Sequence, residues 1–465
     1  MLLTRPERVS SPFQISSCFL YGLVPQQLIY LLCCSFIYIN GCSTHSQRLQ
    51  QPRQLFYSNQ LDQAQDKLDK LSEKKFRNDS TLVELDLAMV ELVSGNPAAA
   101  EHRLRDVRDR WDHFEQDSAI ESATSMLMDD QRKAYSGEDY EKLLVRVFLT
   151  LCSLMKDGVD AESYSLQTLE KYGDLVKKAH DKWGDPILDA YHIPPIAPYM
   201  RGVLREATLS NYDDALRAYQ TTADLLPGAQ FILQDIERVS SGVHSSPGHG
   251  VVYVIAMVGR GPYKVEVAAQ ATSDALLIAD RLVSVLGKYS VPPTLAPVKV
   301  PEIASPPLPF EFIGVQVNGI STTITQPITD LHLLATQTFK AKLPDIMARA
   351  VARRVIKKGA VYVAKDQMNH VTPLASLAMD GLGVAWEATE SADTRCWGLL
   401  PREIQMVRLE LPVGTHALNL EPITAGRPIG PPTLCTVRVD NARNAFVLGY
   451  WPDQRPIGKV LTSTR

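Results

Sequence analysis

The chain has 465 residues, enough for two or three domains, and its 45% hydrophobic and 22% charged composition is that of a folded globular protein. Its formal net charge of −4 leaves no general basic field, which excludes bulk nucleic-acid binding. Four of the seven cysteines fall in the first 42 residues, leaving only Cys152, Cys396 and Cys435 in the body, and no CxxC pair supports a zinc ribbon or a thioredoxin-like site.

From Leu28 to Ile39 the sequence reads LIYLLCCSFIYI, twelve residues without a charge. That length suits the apolar core of a signal peptide and is too short to cross a bilayer as a helix. The run Ile39-Asn40-Gly41-Cys42 resembles a lipobox: an aliphatic residue, a small residue before the thiol, then the cysteine that takes the diacylglycerol. Residues 1–41 are thus expected to be a signal peptide, and 42–54 a lipidated N-terminus and tether anchoring the protein through Cys42. An uncleaved signal anchor over residues 18–39 is the competing reading.

Residues 55–242 carry helical apolar spacing with few β-branched runs. A helix–turn–helix is expected over 82–114, broken at Gly95-Asn96-Pro97, with Asn96 as N-cap and Pro97 in the first turn. A second, degenerate pair spans 143–175 around Asp157-Gly158. The clearest unit, YMRGVLREATLSNYDDALRAYQTTADLLP at 199–227, resembles a tetratricopeptide (TPR) repeat. In it Tyr199 and Tyr219 are the aromatics of the two helices, Ala215 is the small residue at their approach, and Pro227 is the stop. Val203 stands where the first helix of such a pair has a small residue. Three or more stacked pairs would form an α-solenoid with a concave, protein-binding groove; a helical scaffold that only spaces the anchor from the second half is the plainer alternative.

The pattern changes at the loop SSGVHSSPGHG near Ser240. Over 243–289 the expectation is a β-hairpin, VVYVIAMV and Tyr263 to Val267 joined by Gly259-Arg260-Gly261-Pro262, and then a helix over 273–288. Seven prolines between Val291 and Pro309 mark 290–309 as an extended linker. Residues 310–465 read as a C-terminal α+β domain. It opens with a hairpin turning at Asn318-Gly319, continues with helix over 329–358, and ends in short strands near 404–411, 415–420, 433–439 and 445–450 as a β-sandwich-like part. The expected class is α+β multidomain: TPR-like helices followed by a smaller α/β region.

Catalytic motifs are missing from the linear sequence: it has no GxSxG, HExxH, Walker loop or GxGxxG opening a helix, so no catalytic residue, cofactor or small-molecule substrate is indicated. His244 and His249 share a loop and make at most a weak metal site, so none is expected. The pairs Asp129-Asp130 and Asp213-Asp214 read as helix ends. The basic run Arg349 to Lys358 reads as a solvated helix face, with contact to anionic headgroups as the alternative. Asp393-Thr394-Arg395 reads as a structural ion pair or a ligand contact. Cys396 and Cys435 could form a disulfide if the body is exported, though separate buried thiols are equally compatible.

Three stretches carry a wider resemblance: YSGEDYEKLLVRV at 135–147, GHGVVYVIAMVGRGPYKVE at 248–266 and ADTRCWGLLPREIQMVRLELPVGTH at 392–416. With the lipobox and the TPR-like helices, they resemble a family of uncharacterised bacterial envelope lipoproteins. The resemblance implies a location at the bacterial cell envelope, by analogy the outer membrane facing the periplasm, and no known activity. The expected function is a non-enzymatic interaction scaffold for other envelope proteins. Two rivals remain: a glycan- or ligand-binding accessory protein using Trp397 and the strands near Thr415-His416, and a hydrolase with a site assembled from separated residues.

Overall fold

The computed structural model describes residues 45–73, 79–117, 134–183, 191–269, 298–367 and 391–463. The chain divides into two compact units, Met1–Arg48 and Leu49–Arg465, and the fold described is that of the larger unit. The lipobox, with Cys42, the expected helix over 273–288 and Asp129-Asp130 all lie outside the described residues.

The first part of the chain is helical: α1 (His45–Tyr57), α2 (Leu61–Glu73), α3 (Ser80–Ser94), α4 (Pro97–Asp117), α5 (Asp139–Lys156), α6 (Ala161–Trp183), α7 (Ile196–Glu206), α8 (Tyr212–Leu225) and α9 (Gln230–Ser240). From α2 to α9 each helix packs on the next in sequence. The break between α3 and α4 falls where the sequence puts it: Gly95 takes a left-handed conformation (φ 93°), and Pro97 opens α4 where its missing N–H leaves no hydrogen bond unmade. Helix α3, STLVELDLAMVELVS, is apolar on nearly every side and is correspondingly buried from Thr81 to Val93 except at Glu84.

The strands are β1 (His249–Val258), β2 (Tyr263–Ala268), β3 (Lys299–Ala304), β4 (Phe312–Val317), β5 (Ser321–Ile324), β6 (Gln326–Asp330), β7 (Glu403–Pro412), β8 (Gly414–Thr424), β9 (Arg427–Pro428), β10 (Thr433–Val439), β11 (Asn444–Trp451) and β12 (Ile457–Thr462), with helix α10 (Leu331–Gln367) between β6 and β7. The first sheet runs β12-β11-β1-β7-β6, with only β1 and β11 parallel. A second runs β10-β8-β4-β5, and β2 pairs with β3 in a small third sheet. The β4–β5 hairpin turns at Asn318 (φ 50°) and Gly319 (φ 76°), the paired positive angles that an Asn-Gly turn supplies cheaply.

Strand β1 explains the layering. Its unbroken apolar run is buried on both faces, as such a run requires. Val251, Tyr253, Ile255 and Met257 face a core shared with α1–α9. Val252, Val254, Ala256 and Val258 face a second core shared with Ile313 and Val315 of β4, Leu418 and Leu420 of β8, and Val437 and Val439 of β10. The described residues therefore form three layers: helices, the first sheet, the second sheet.

Four expectations are corrected by this arrangement. The segment after β1 is not the return strand of a hairpin, because both edges of β1 are taken by β7 and β11, and β2 pairs with β3 instead. The proline-rich stretch is not only a linker, since its Lys299–Ala304 is strand β3. Residues 243–289 and 310–465 are not separate domains, because β1 is the central strand of a sheet otherwise built from the later segment. The apolar faces of the helices are covered by that sheet, so the inward side of the helical layer is core rather than an open groove.

Candidate functional site

The residues singled out in the TPR-like unit are structural. Tyr199 and Tyr219 are fully buried with ring centroids 5.4 Å apart, and Ala215 is buried beside them. The close approach belongs to Gly202, one residue before Val203: a Cβ there would stand 2.6 Å from the Tyr219 ring. The hydroxyl of Tyr199 donates to Asp235 (2.7 Å) and that of Tyr219 to Glu206 (2.7 Å), while Arg238 bridges the two carboxylates. Pro227 is exposed just past the end of α8.

Cys396 and Cys435 are both free thiols and are not joined. Cys396 is buried where the 391–400 segment meets α1, and Cys435 lies on β10 against the second core, so the two belong to different layers. His244 and His249 also serve separate ends: His244 Nε2 is 2.8 Å from Asn444 Oδ1, and His249 Nδ1 is 3.2 Å from the Pro247 carbonyl. Among the described residues no group of three His, Cys, Asp or Glu is placed to hold a metal, and no helix is long and apolar enough to cross a membrane. Trp397 is fully buried against Phe148 (5.2 Å), which removes the exposed platform a glycan site needs. His416 is buried too, its Nε2 2.8 Å from the Pro412 carbonyl.

The chemistry concentrates elsewhere. All three stretches that carry the family resemblance meet at the start of α5. There Glu138 and Glu141 form a capping box, each carboxylate accepting the other residue's backbone N–H. Glu141 is fully buried, and its Oε2 accepts from Tyr135 Oη (2.6 Å) and from the Glu138 N–H (3.1 Å). Its Oε1 accepts from the Trp397 N–H (2.7 Å) and from Tyr140 Oη (3.3 Å). Gly137 must be glycine twice over, for its φ of 76° and because a Cβ would stand 2.7 Å from the Trp111 ring.

Outside this lock lies a cleft of about 240 Å³. Its walls come from 134–138, from Lys264 of β2, from Lys299 and Pro301 of β3, from Lys342, Ile346, Arg349, Ala350 and Arg353 of α10, and from Ala392, Asp393 and Arg395. Among the described residues, six of the lining side chains are cations (Lys264, Lys299, Lys342, Arg349, Arg353, Arg395), against the two carboxylates Glu138 and Asp393. Behind the lining stand further carboxylates that hold the cations in place: Asp139 with Lys342 (2.7 Å), Glu266 with Lys299 (3.0 Å) and Asp79 with Arg395 (3.2 Å). Lys264 pairs with Glu138, and Arg395 lies over the Tyr135 ring, 5.3 Å from its centroid.

The charges are fixed. Burial alone would raise Glu138, but Lys264 and Lys342 outweigh it and hold that carboxyl at about 2. Burial likewise opposes the charge on Lys264 and Lys342, yet their carboxylate partners keep both above the usual lysine range. A carboxylate with so low a pKa is a poor general base at neutral pH. Another depression, of about 720 Å³ between α4 and α6, differs in character: its Asp109, Asp112, Glu115, Glu170 and Asp174 outnumber Arg108, Arg146, Lys171 and Lys178. Its charges mostly pair with one another.

Known protein families, curated proteins and solved structures give no match to this chain.

Sequence reasoning missed this cleft. It took the Arg349 to Lys358 run for a solvated face, whereas Arg349 and Arg353 line the cleft. It weighed Asp393 and Arg395 as an ion pair and found the pair (2.8 Å), but not the wall they help to form. The available signal was the density of charge within apolar runs, as in Glu138-Asp139-Tyr140-Glu141-Lys142, where a purely structural helix start needs fewer ions.

Proposed function

We propose that this protein is a non-enzymatic binding protein of the bacterial cell envelope, anchored through Cys42, whose recognition site is the basic cleft. Its helical half serves as a TPR-like scaffold, and its partners are envelope components presenting an anionic group. One observation carries the reading: a small concave site lined, among the described residues, by six cations and two carboxylates from segments far apart in sequence. Two others support it. The inward side of the helices is occupied by the chain's own sheet, so a partner is better accommodated at the cleft than in a helical groove. The low pKa of Glu138 favours binding over acid–base chemistry.

The test is calorimetric titration of the full chain, purified in nonionic detergent, with acetate, succinate, sulfate and phosphate. At least one of these anions should bind saturably, and Arg349→Glu/Arg353→Glu should abolish that binding. A chain that binds none of them removes the cleft from the account of function. In parallel, mass spectrometry of the N-terminal peptide should find an acylated species beginning at Cys42; a peptide retaining residues upstream of Cys42 would overturn the anchor.

A further inference from the structure

We infer that the cleft recognises a phosphoryl group, carried by a small phosphomonoester or by a lipid headgroup. This inference rests on reading the cleft as an anion site and adds the class of anion.

The size of the cleft limits the ligand. A volume of about 240 Å³ lies below the roughly 300–1,000 Å³ of sites that enclose drug-sized ligands. The part of a ligand held inside it is therefore small, of the order of a phosphate with a short ester substituent.

The placing of the donors selects among anions. Lys342, Arg349 and Arg353 recur along α10 at spacings of seven and four, which places them on one face of the helix. Lys264 and Lys299 enter from the paired strands β2 and β3. A carboxylate offers two coplanar oxygens, which a single arginine fork satisfies. Arg349 and Arg353, one turn apart on the helix, and Lys264 and Lys299, on the paired strands, line the cleft from different elements, which suits a ligand with acceptor oxygens in several directions. A phosphomonoester provides three such oxygens and a charge of about −1.5 to −2.

The remaining lining suits the ester side. Ile346, Ala350 and Pro301 give a short apolar wall, and the ionised Glu138 and Asp393 are acceptors for hydroxyl groups. Together they favour a hydroxyl-bearing phosphomonoester over bare phosphate.

The experiment titrates the full chain in nonionic detergent with four probes: inorganic phosphate, glycerol 3-phosphate, water-soluble short-chain lysophosphatidic acid, which keeps one free hydroxyl, and succinate. Both phosphomonoesters should bind at least tenfold more tightly than succinate, and Arg349→Gln/Arg353→Gln should weaken them by tenfold or more, the loss typical of a charge-assisted hydrogen bond. If that double variant loses its cooperative melt, Lys299→Gln, at a partly exposed position, should give the same direction of change. Tighter binding of the short-chain lipid than of glycerol 3-phosphate identifies a headgroup as the source, and the reverse order a free phosphomonoester; either order supports the inference. Succinate binding as tightly as the phosphomonoesters overturns the inference while leaving the anion site standing, and binding of no probe overturns both.

Discussion

Glu141→Gln tests how the 391–400 segment is held on α5. In the wild type each carboxylate oxygen accepts two hydrogen bonds, at 2.6 and 3.1 Å on one and at 2.7 and 3.3 Å on the other. All four partners are donors, and the side chain is fully buried. A glutamine keeps one acceptor oxygen and turns an amide NH₂ toward the other two donors, whichever way it flips. The tyrosine hydroxyl on that side turns to accept from the amide, but the backbone N–H (of Glu138 or of Trp397) cannot, so one donor is left unsatisfied without water to replace the carboxylate, at roughly 1–3 kcal/mol. With a urea slope of roughly 3 kcal/mol/M or steeper for a chain of this size, the midpoint should fall by up to about 1 M. Equilibrium unfolding followed by tryptophan fluorescence reads this directly, because Trp397 and Trp111 are buried beside the lock. The exposed Glu237→Gln is the control and should shift nothing beyond about 0.5 kcal/mol. An unchanged midpoint for Glu141→Gln would mean that the Trp397 segment is not held by this carboxylate, and the cleft wall built on it would have to be redrawn.

Two other outcomes follow from the same chemistry. Glu138 is held at about 2 in the fold against an ordinary 4.5, so its contribution to stability is complete above the ordinary value and lost as pH falls toward 2. The stability advantage of wild type over Glu138→Gln should therefore narrow between about pH 4.5 and 2 in thermal melts; a constant gap would show that Lys264 and Lys342 do not stabilise the ionised form. Alkylation of the urea-unfolded, unreduced chain should label Cys152, Cys396 and Cys435. In the folded chain labelling should be slow, because burial raises the Cys396 and Cys435 thiols to about 11; a cross-linked Cys396–Cys435 peptide would refute the free-thiol assignment.

The local elements were legible where one physical rule decides them. Asn318-Gly319 demands its turn, Pro97 opens its helix, and the short strands expected near 404–411, 415–420, 433–439 and 445–450 are β7, β8, β10 and β11. Pairing was less so. VVYVIAMV announces a strand buried on both faces, but nothing local says that its neighbours lie some 150 and 190 residues onward rather than across the next turn. The Gly-Arg-Gly-Pro segment was misread for this reason: a glycine turn fits a hairpin, and only the competition of β7 and β11 for β1 rules it out. Tyr199, Ala215 and Tyr219 pack together as the helix pair requires, yet the covering of the helices by a sheet depends on partners that no repeat pattern contains. The cleft is the extreme case, since Glu138, Lys264, Lys342 and Arg395 acquire meaning only when four separate segments meet.

Stability alone is a poor reason for those charges to meet. Burying an ion pair costs desolvation that its attraction often fails to offset, and apolar replacements of similar volume are commonly neutral or stabilising. This chain has ample apolar packing, with an extensive core on each face of β1. Lys264, Glu138, Arg395 and Asp79 nevertheless join the start of α5 to strand β2 and to the segments at 79 and 395 through two buried cations and their partly buried carboxylates. Such pairs fix orientation: Lys264, Lys299, Lys342 and Arg395 each have a carboxylate beside them that sets their position at the cleft wall. A surface needing only to be closed would be served by leucine and valine, which the sequence uses freely elsewhere. Cations held in place by partly buried acids around an open space support the proposal of an anion site prepared before its ligand arrives.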